Sequence, residues 1–390
     1  MIYVHVPFCR SFCTYCDFYS EICPRAGQQQ VQSRYLDSLL AEISHRRREL
    51  SLENCLTSFG PSHCKQWAPP SNVAEGGTNA PAGTETLYFG GGTPSVLPQE
   101  MVAKIVAALG PHEYEEFTME VNPDDIVEKG AEYVKGLLAL GVNRVSMGVQ
   151  SFDDGLLKWM NRRHDAAGAK EAFRILRACG VKNVSLDLIF GISQLSDEVW
   201  KRSIKEALEL SPEHISAYQL SIEEGSALAG MVREGRYREA SDEQCRRQYD
   251  ILCRMLSEAG YRHYEISNWA KDGYEAVHNG AYWRRVPYVG LGPGAHSLSA
   301  DNVRSWNSRD LCDWTSESES LTPDEVREEE IMLSLRTAKG LPLQRLRYLS
   351  DPSAVDALIG EGSLAVLPDG NVRIPEACFF VSDDIISRLV

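Results

Sequence analysis

The sequence is poor in positive charge: 40 lysines and arginines stand against 55 aspartates and glutamates in 390 residues, a formal charge of −15. A field of that sign repels phosphate backbones and anionic lipid surfaces, so no nucleic-acid partner is expected. No run of about 18 apolar residues occurs, which argues against a spanning helix and direct membrane insertion. The first strand-like run begins at Ile2 with no room for a leader before it, and a cytoplasmic location is expected. Eleven cysteines are an odd count in a chain without an export signal, so reduced thiols or metal ligands are expected rather than a disulfide framework. What remains, with 43% of residues hydrophobic, suffices for one large core or two moderate ones.

Short apolar runs alternate with amphipathic stretches through the first half. Strands are expected at Ile2–Val6, Thr86–Phe89, Phe117–Val121, Arg144–Val149, Ser185–Phe190 and His214–Gln219. Helices near 31–50, 98–109, 128–140, 166–179 and 196–210 fall between them. Six βα units in succession predict an α/β fold, a partial TIM-type (β/α)6 barrel over residues 1–235. Residues 57–85, rich in Pro, Gly, Ser, Ala and Asn and without a period, read as a surface insertion. Cys55, His63 and Cys64 surround it without the spacing of a metal site. Past residue 240 the rhythm fades, and 236–315 reads as a connector dense in His, Tyr, Trp and Gly. Residues 316–390 read as a small α+β unit: a helix from Pro323 to about Thr337, another near 352–360, then a hairpin at Asp369-Gly370. Helices followed by a hairpin resemble a winged helix, for which the acidic chain favours an interaction or lid role.

The loop after the first strand carries the chemistry. VPFCRSFCTYCDFYS places Cys9, Cys13 and Cys16 in a C-x-x-x-C-x-x-C spacing, and three thiolates on so short a loop imply a metal site. Two fillings stay open. A structural zinc ion would be completed by His5. A cubane iron–sulfur cluster would use the three thiolates and leave one iron free for a substrate. Phe8, Phe12, Tyr15 and Phe18 interleave the cysteines as a hydrophobic shield or as plain core. Ligands of parallel βα folds gather at the carboxyl ends of strands, and those ends are polar or glycine-rich here: Gly90-Gly91-Gly92-Thr93-Pro94, Glu120-Val121-Asn122-Pro123 and Gln150-Ser151. Asp187, inside the apolar run SLDLIFG, needs a partner to offset its burial.

The cysteine spacing after a first strand resembles that of the radical S-adenosylmethionine (SAM) proteins, and residues 1–300 resemble their coproporphyrinogen dehydrogenase group. The resemblance implies a [4Fe-4S] cluster on Cys9, Cys13 and Cys16 and bound SAM. It places Tyr3 beside the cluster, Gly92 and Thr93 on the methionine moiety and Glu120 on its amino group. Gln150, Arg162 and Asp187 line the nucleoside and carboxylate sites. Within WMNRRHD the related pattern reads L-G-R-x-H, so Asn161 departs from it.

Two branches of that group differ at the loop. The dehydrogenases carry a further cysteine two positions after the third; here that position is Phe18. CDF, together with His278-Asn279-Gly280-Ala281-Tyr282-Trp283 as an H-N-x-x-Y-W element, resembles the heme-chaperone branch instead. That likeness implies heme as cofactor and cargo, with His278, Tyr282, Trp283 and, after GLGPGA, His296 as candidates to meet it. The plain reading has His278 capping a turn while Tyr282 and Trp283 fill a core. Cys23-Pro24 resembles a heme-binding dipeptide, and Arg162, Arg163, His164, Arg284 and Arg285 are candidate propionate contacts. Heme-accepting proteins such as respiratory enzymes are the expected partners, with a homodimer as an option. The rival functions are oxygen-independent decarboxylation of coproporphyrinogen III and a zinc-stabilised binding module.

Overall fold

A computed structural model describes residues 1–22, 27–50 and 85–390. The expected insertion at 57–85, apart from Glu85, and the residues Cys23, Pro24, Cys55, His63 and Cys64 lie outside the described residues.

A nine-stranded sheet forms the body, in the order β11-β1-β4-β5-β6-β7-β8-β10-β9. Its strands are β1 (Ile2–Val6), β4 (Thr86–Gly91), β5 (Glu116–Val121), β6 (Arg144–Gln150), β7 (Asn183–Phe190), β8 (His214–Gln219), β9 (Arg262–Glu265), β10 (Asn268–Ala270) and β11 (Val289–Leu291). From β11 to β8 every pairing is parallel. Strands buried on both faces need near-continuous apolar runs, which is why IYVHV and SLDLIF were legible as strands, the second starting two residues earlier at Asn183. The expected partial α/β barrel is present, with β10 and β9 added antiparallel at one edge.

Helices lie between the strands where expected: Gln28–His45, Gln99–Leu109, Pro123–Ala139, Ala166–Ala178 and Asp197–Leu210. The third begins five residues before its expected start at 128. Asn122 caps it by accepting from the Asp124 amide, and Pro123 opens the first turn. Gly130, at φ 67°, interrupts it, and that break hid the first turns from a periodicity argument. A short helix, Asp154–Trp159, also escaped the sequence reading.

The stretch past 240 holds more regular structure than its composition indicated. Helix Asp242–Glu258 buries Tyr249, Leu252 and Leu256, and β9, β10 and β11 all join the main sheet. β11 is only three residues long and sits inside a glycine-rich run, too short for a period to show. A separate antiparallel sheet joins β12 (His296–Leu298), β13 (Val303–Asn307) and β14 (Ser316–Ser320). Beyond it, Pro323–Leu335 starts with a capping box between Thr322 and Glu325. Helices Leu343–Leu349 and Pro352–Gly360 follow, with a three-stranded sheet of β15 (Leu341–Pro342), β16 (Ala365–Val366) and β17 (Asn371–Arg373). Gly370, at φ 84°, makes the hairpin turn that Asp-Gly signalled.

Candidate cofactor site

A cavity of about 670 Å³ opens at the carboxyl ends of the parallel strands. Cys9, Cys13, Cys16, Gly92, Thr93, Glu120, Gln150, Arg162 and Asp187 all line it, and Tyr3 stacks on its wall residue Tyr88.

Several elements fasten the cysteine loop. β2 (Phe8–Cys9) pairs with β3 (Glu21–Ile22). The amide of Glu21 donates to Pro7 O at 2.7 Å, and that of Thr14 to Met160 O at 3.1 Å. Asn161 Nδ2 donates to Phe12 O at 2.7 Å. Asn161 takes φ 58°, a left-handed conformation that glycine adopts freely and asparagine tolerates. The departure from L-G-R-x-H therefore preserves the backbone shape and adds a tie to the loop.

Two glycines fit the site closely. Gly91 has φ 111°, and a Cβ there would lie 2.6 Å from the His5 ring. A Cβ on Gly92 would meet Phe8 O at 2.8 Å and Cys9 Sγ at 3.1 Å, so only a bare backbone can pass beside this sulfur. Thr93 Oγ1 lies 3.5 Å from the same Sγ.

Geometry separates the two fillings of the loop. His5 is buried with both ring nitrogens engaged, Nδ1 with the Tyr3 hydroxyl at 3.1 Å and Nε2 with Tyr19 O at 2.9 Å, and is not free as a fourth zinc ligand. With His5 engaged, the three thiolates are left for a centre that needs only three protein ligands, which suits a cubane cluster. Burial pushes the Cys9 thiol up and Cys16 to about 11, so metal binding must displace thiol protons. Arg162 donates from Nη1 to Cys13 Sγ at 3.3 Å and from Nη2 to Gly148 O at 2.6 Å, while its buried Nε has no partner among the described residues. An unpaired donor beside three sulfurs fits a ligand with acceptor atoms.

The carboxylates are equally suited to a ligand. Glu120 accepts from the Tyr88 hydroxyl at 2.8 Å and the Gly91 amide at 3.2 Å, and burial, with Asp187 nearby, lifts it to about 7. Asp187, opposite Gly148 and Ser216 in register, accepts from Ser146 at 3.3 Å; burial raises it to about 6 against the pull of Arg144. Gln150 has φ 68° at a register shift in β6, which points its side chain out of the alternation and into the cavity wall.

Tyr88, Arg144, Ser146, Ser216, Tyr218 and Asn279 also line the cavity, and sequence reasoning missed them. Arg144 and Ser216 had a signal: a polar side chain inside an otherwise apolar strand. Asn279 shows that the H-N-x-x-Y-W element reaches the cavity through its asparagine.

The heme candidates fall on two elements, the helix Val277–Trp283 and β12. His278 is buried, with Nδ1 2.7 Å from Thr86 Oγ1 and Nε2 3.0 Å from the Tyr282 hydroxyl. Burial lowers it to about 3, so it stays neutral. Trp283 is half-buried in the same helix, Val277–Trp283. His296 sits elsewhere, exposed on β12 and stacked with Trp306. The glycines before it serve protein contacts: a Cβ on Gly290 would overlap His296 O at 2.0 Å. Among the candidate propionate contacts, Arg163 pairs with Asp125 at 3.0 Å and Arg285 with Glu329 at 2.8 Å, His164 is buried against Val149 O at 3.0 Å, and Arg284 is exposed.

Residues 3–207 match the model of the radical SAM superfamily, and the chain belongs to it. The chain is 32% identical, over 88% of its length and 85% of the relative's, to heme chaperone HemW of Bacillus subtilis (strain 168). It is 31% identical, over 93% of its length and 88% of the relative's, to heme chaperone HemW of Mycobacterium tuberculosis (strain ATCC 25618 / H37Rv). Within the superfamily it is a member of the HemW family. The solved structure of coproporphyrinogen III oxidase (HemN) from Escherichia coli, a radical SAM enzyme, matches with a TM-score of 0.73 at 20% identity, covering 99% of this chain and 89% of that one. That likeness shows a shared fold. Membership implies a [4Fe-4S] cluster and SAM as cofactors, and the loop and cavity fit both.

Proposed function

We propose that the protein is a cytoplasmic heme chaperone that binds heme and passes it to acceptor proteins, respiratory enzymes among them. The observation that carries this reading is the likeness to several heme chaperones HemW over most of the chain. Phe18 supports it: an exposed phenylalanine stands at the cavity mouth where the dehydrogenases carry a further cysteine.

In this reading Cys9, Cys13 and Cys16 hold the cluster and leave one iron open. Gly92, Thr93 and Glu120 receive the methionine end of SAM, while Gln150, Arg162 and Asp187 receive its nucleoside and carboxylate. Tyr3 braces the wall. When bound, the cluster supplies an open coordination site and one-electron chemistry. The chain's own contribution is to place Glu120 where its carboxyl group can meet the SAM ammonium, whose charge would favour the ionised form, and to aim Arg162 at the loop. For heme, His296 offers an exposed imidazole, whereas His278 would first have to release Thr86 and Tyr282. Tyr282 and Trp283 then act behind His278 as packing.

Anaerobically reconstituted protein titrated with heme tests the proposal. A saturable Soret band that weakens in His296→Ala is expected, with no decarboxylation of coproporphyrinogen III when reductant and SAM are supplied. Absence of heme binding in cluster-loaded protein overturns the reading, and decarboxylated product would replace it with the dehydrogenase.

A further inference from the structure

We infer that Cys253, His263 and Glu376 form a second metal site, for a zinc-like divalent ion, which joins the carboxyl-terminal segment to the edge of the main sheet. The three come from distant parts of the chain. Cys253 lies on helix Asp242–Glu258, His263 on edge strand β9, and Glu376 opens the 3-10 turn Glu376–Val381. The Cys253 sulfur, a ring nitrogen of His263 and a carboxylate oxygen of Glu376 all lie within 4.8 Å of one another. Tetrahedral zinc, with bonds of about 2.0–2.3 Å, sets its ligands about 3.5 Å apart, so the trio needs to close by roughly an ångström at most.

The imidazole supplies an independent sign. Only 4% of the His263 side chain is exposed. Its Nε2 faces Ile266 O at 3.3 Å and the Tyr249 hydroxyl at 3.4 Å. Donation from Nε2–H to the Ile266 carbonyl leaves a lone pair on Nδ1. In the neutral ring that lone pair faces Glu376 Oε1 at 3.4 Å, two acceptors turned toward each other that either a proton or a metal ion between them would satisfy. A ring whose far N–H is fixed by a backbone carbonyl is the arrangement that metal-binding histidines use. Trp269 stacks on the ring at 4.0 Å and 14°, and Phe379 meets it edge-on at 5.1 Å, which holds its direction.

One thiolate, one neutral imidazole and one carboxylate suit a borderline-soft ion such as zinc better than magnesium or calcium. Glu376 faces partly outward, with 45% of its side chain exposed, which leaves a fourth position for water. Binding exchanges the thiol proton for the ion, so one proton is released for each zinc bound.

Full-length protein carrying Cys9→Ala, Cys13→Ala and Cys16→Ala removes the thiols of the first site, and comparison with the same protein carrying Cys253→Ala as well separates the second site from the seven other cysteines. Titrated with cobalt(II), it is expected to bind one equivalent with a thiolate-to-cobalt charge-transfer band and tetrahedral visible bands. Zinc should displace the cobalt and release one proton. Adding Cys253→Ala should abolish the charge-transfer band and weaken zinc by about 100-fold or more. Glu376→Gln, at a position exposed enough to spare the fold, should weaken zinc by about 10-fold. No thiolate band in the triple variant, an unchanged band after Cys253→Ala, or unchanged affinity after Glu376→Gln each overturn the site.

Discussion

The two ends of the parallel sheet put their buried polar groups to different uses. At the amino ends two hydroxyl–imidazole–phenol chains repeat. Thr86, His278 and Tyr282 are linked at 2.7 and 3.0 Å, and Ser185, His214 and Tyr264 at 2.7 and 2.7 Å. Glu116 completes this end by accepting from the Val277 and His278 amides. At the carboxyl ends, Arg162 keeps an unpaired Nε, Glu120 and Asp187 are held far above ordinary carboxylates, and Gln150 and Asn161 occupy left-handed backbone. Paired polar groups stabilise a fold, whereas an unpaired donor or a raised carboxylate on the wall of a cavity is suited to meet a ligand. Arg144 joins the ends, rooted at the start of β6 yet lining the cavity, with its own Nε unpaired.

The contrast can be attacked at its strongest point first. Replacing Cys9, Cys13 or Cys16 with alanine should reduce iron and acid-labile sulfide in reconstituted protein to near zero, read by metal and sulfide analysis. Cluster content close to that of the parent would remove the carboxyl-end site altogether. Glu120→Gln should next weaken SAM by roughly 10- to 100-fold in calorimetry on cluster-loaded protein, the value of one charge-assisted hydrogen bond at about 1.5–3 kcal/mol.

The same glutamate sharpens the comparison through pH. Folding raises Glu120 from 4.5 to about 7, so between those values the folded chain holds the extra proton and this group's stabilisation is lost as pH rises. In urea titrations of metal-free protein, Glu120→Gln should therefore gain on the parent between about pH 4.5 and 7. A constant difference would show that Glu120 titrates normally.

At the amino end the expectation reverses. His278→Ala should lower stability by about 1–3 kcal/mol by stranding Thr86 and Tyr282, while SAM affinity stays at the parent value. A loss of SAM binding without a loss of stability would break the division of roles. Smallest is the backbone effect at Asn161: alanine should cost about 1 kcal/mol more than glycine there, because only alanine resists φ 58°, as thermal unfolding would reveal.

Much of the fold was readable because parallel strands bury both faces. Ile2–Val6 and His214–Gln219 stand where their apolar runs placed them. β11 was not readable, since three residues among glycines carry no period. The cysteine loop was legible from spacing alone. The cavity wall was only half so: Glu120 and Gln150 end strands, but Tyr88 and Ser146 sit within them, and only the register across neighbouring strands tells which side they face. The linkage of His278 to Thr86, across 192 residues of sequence, carries no local signal.

The ties that seize the cysteine loop from Pro7, Met160 and Asn161 have a kinetic consequence. Bonds to these residues offset part of the ordering entropy that gathering three thiolates around an inorganic guest would otherwise cost, so loosening any of them should slow loading of iron and sulfide.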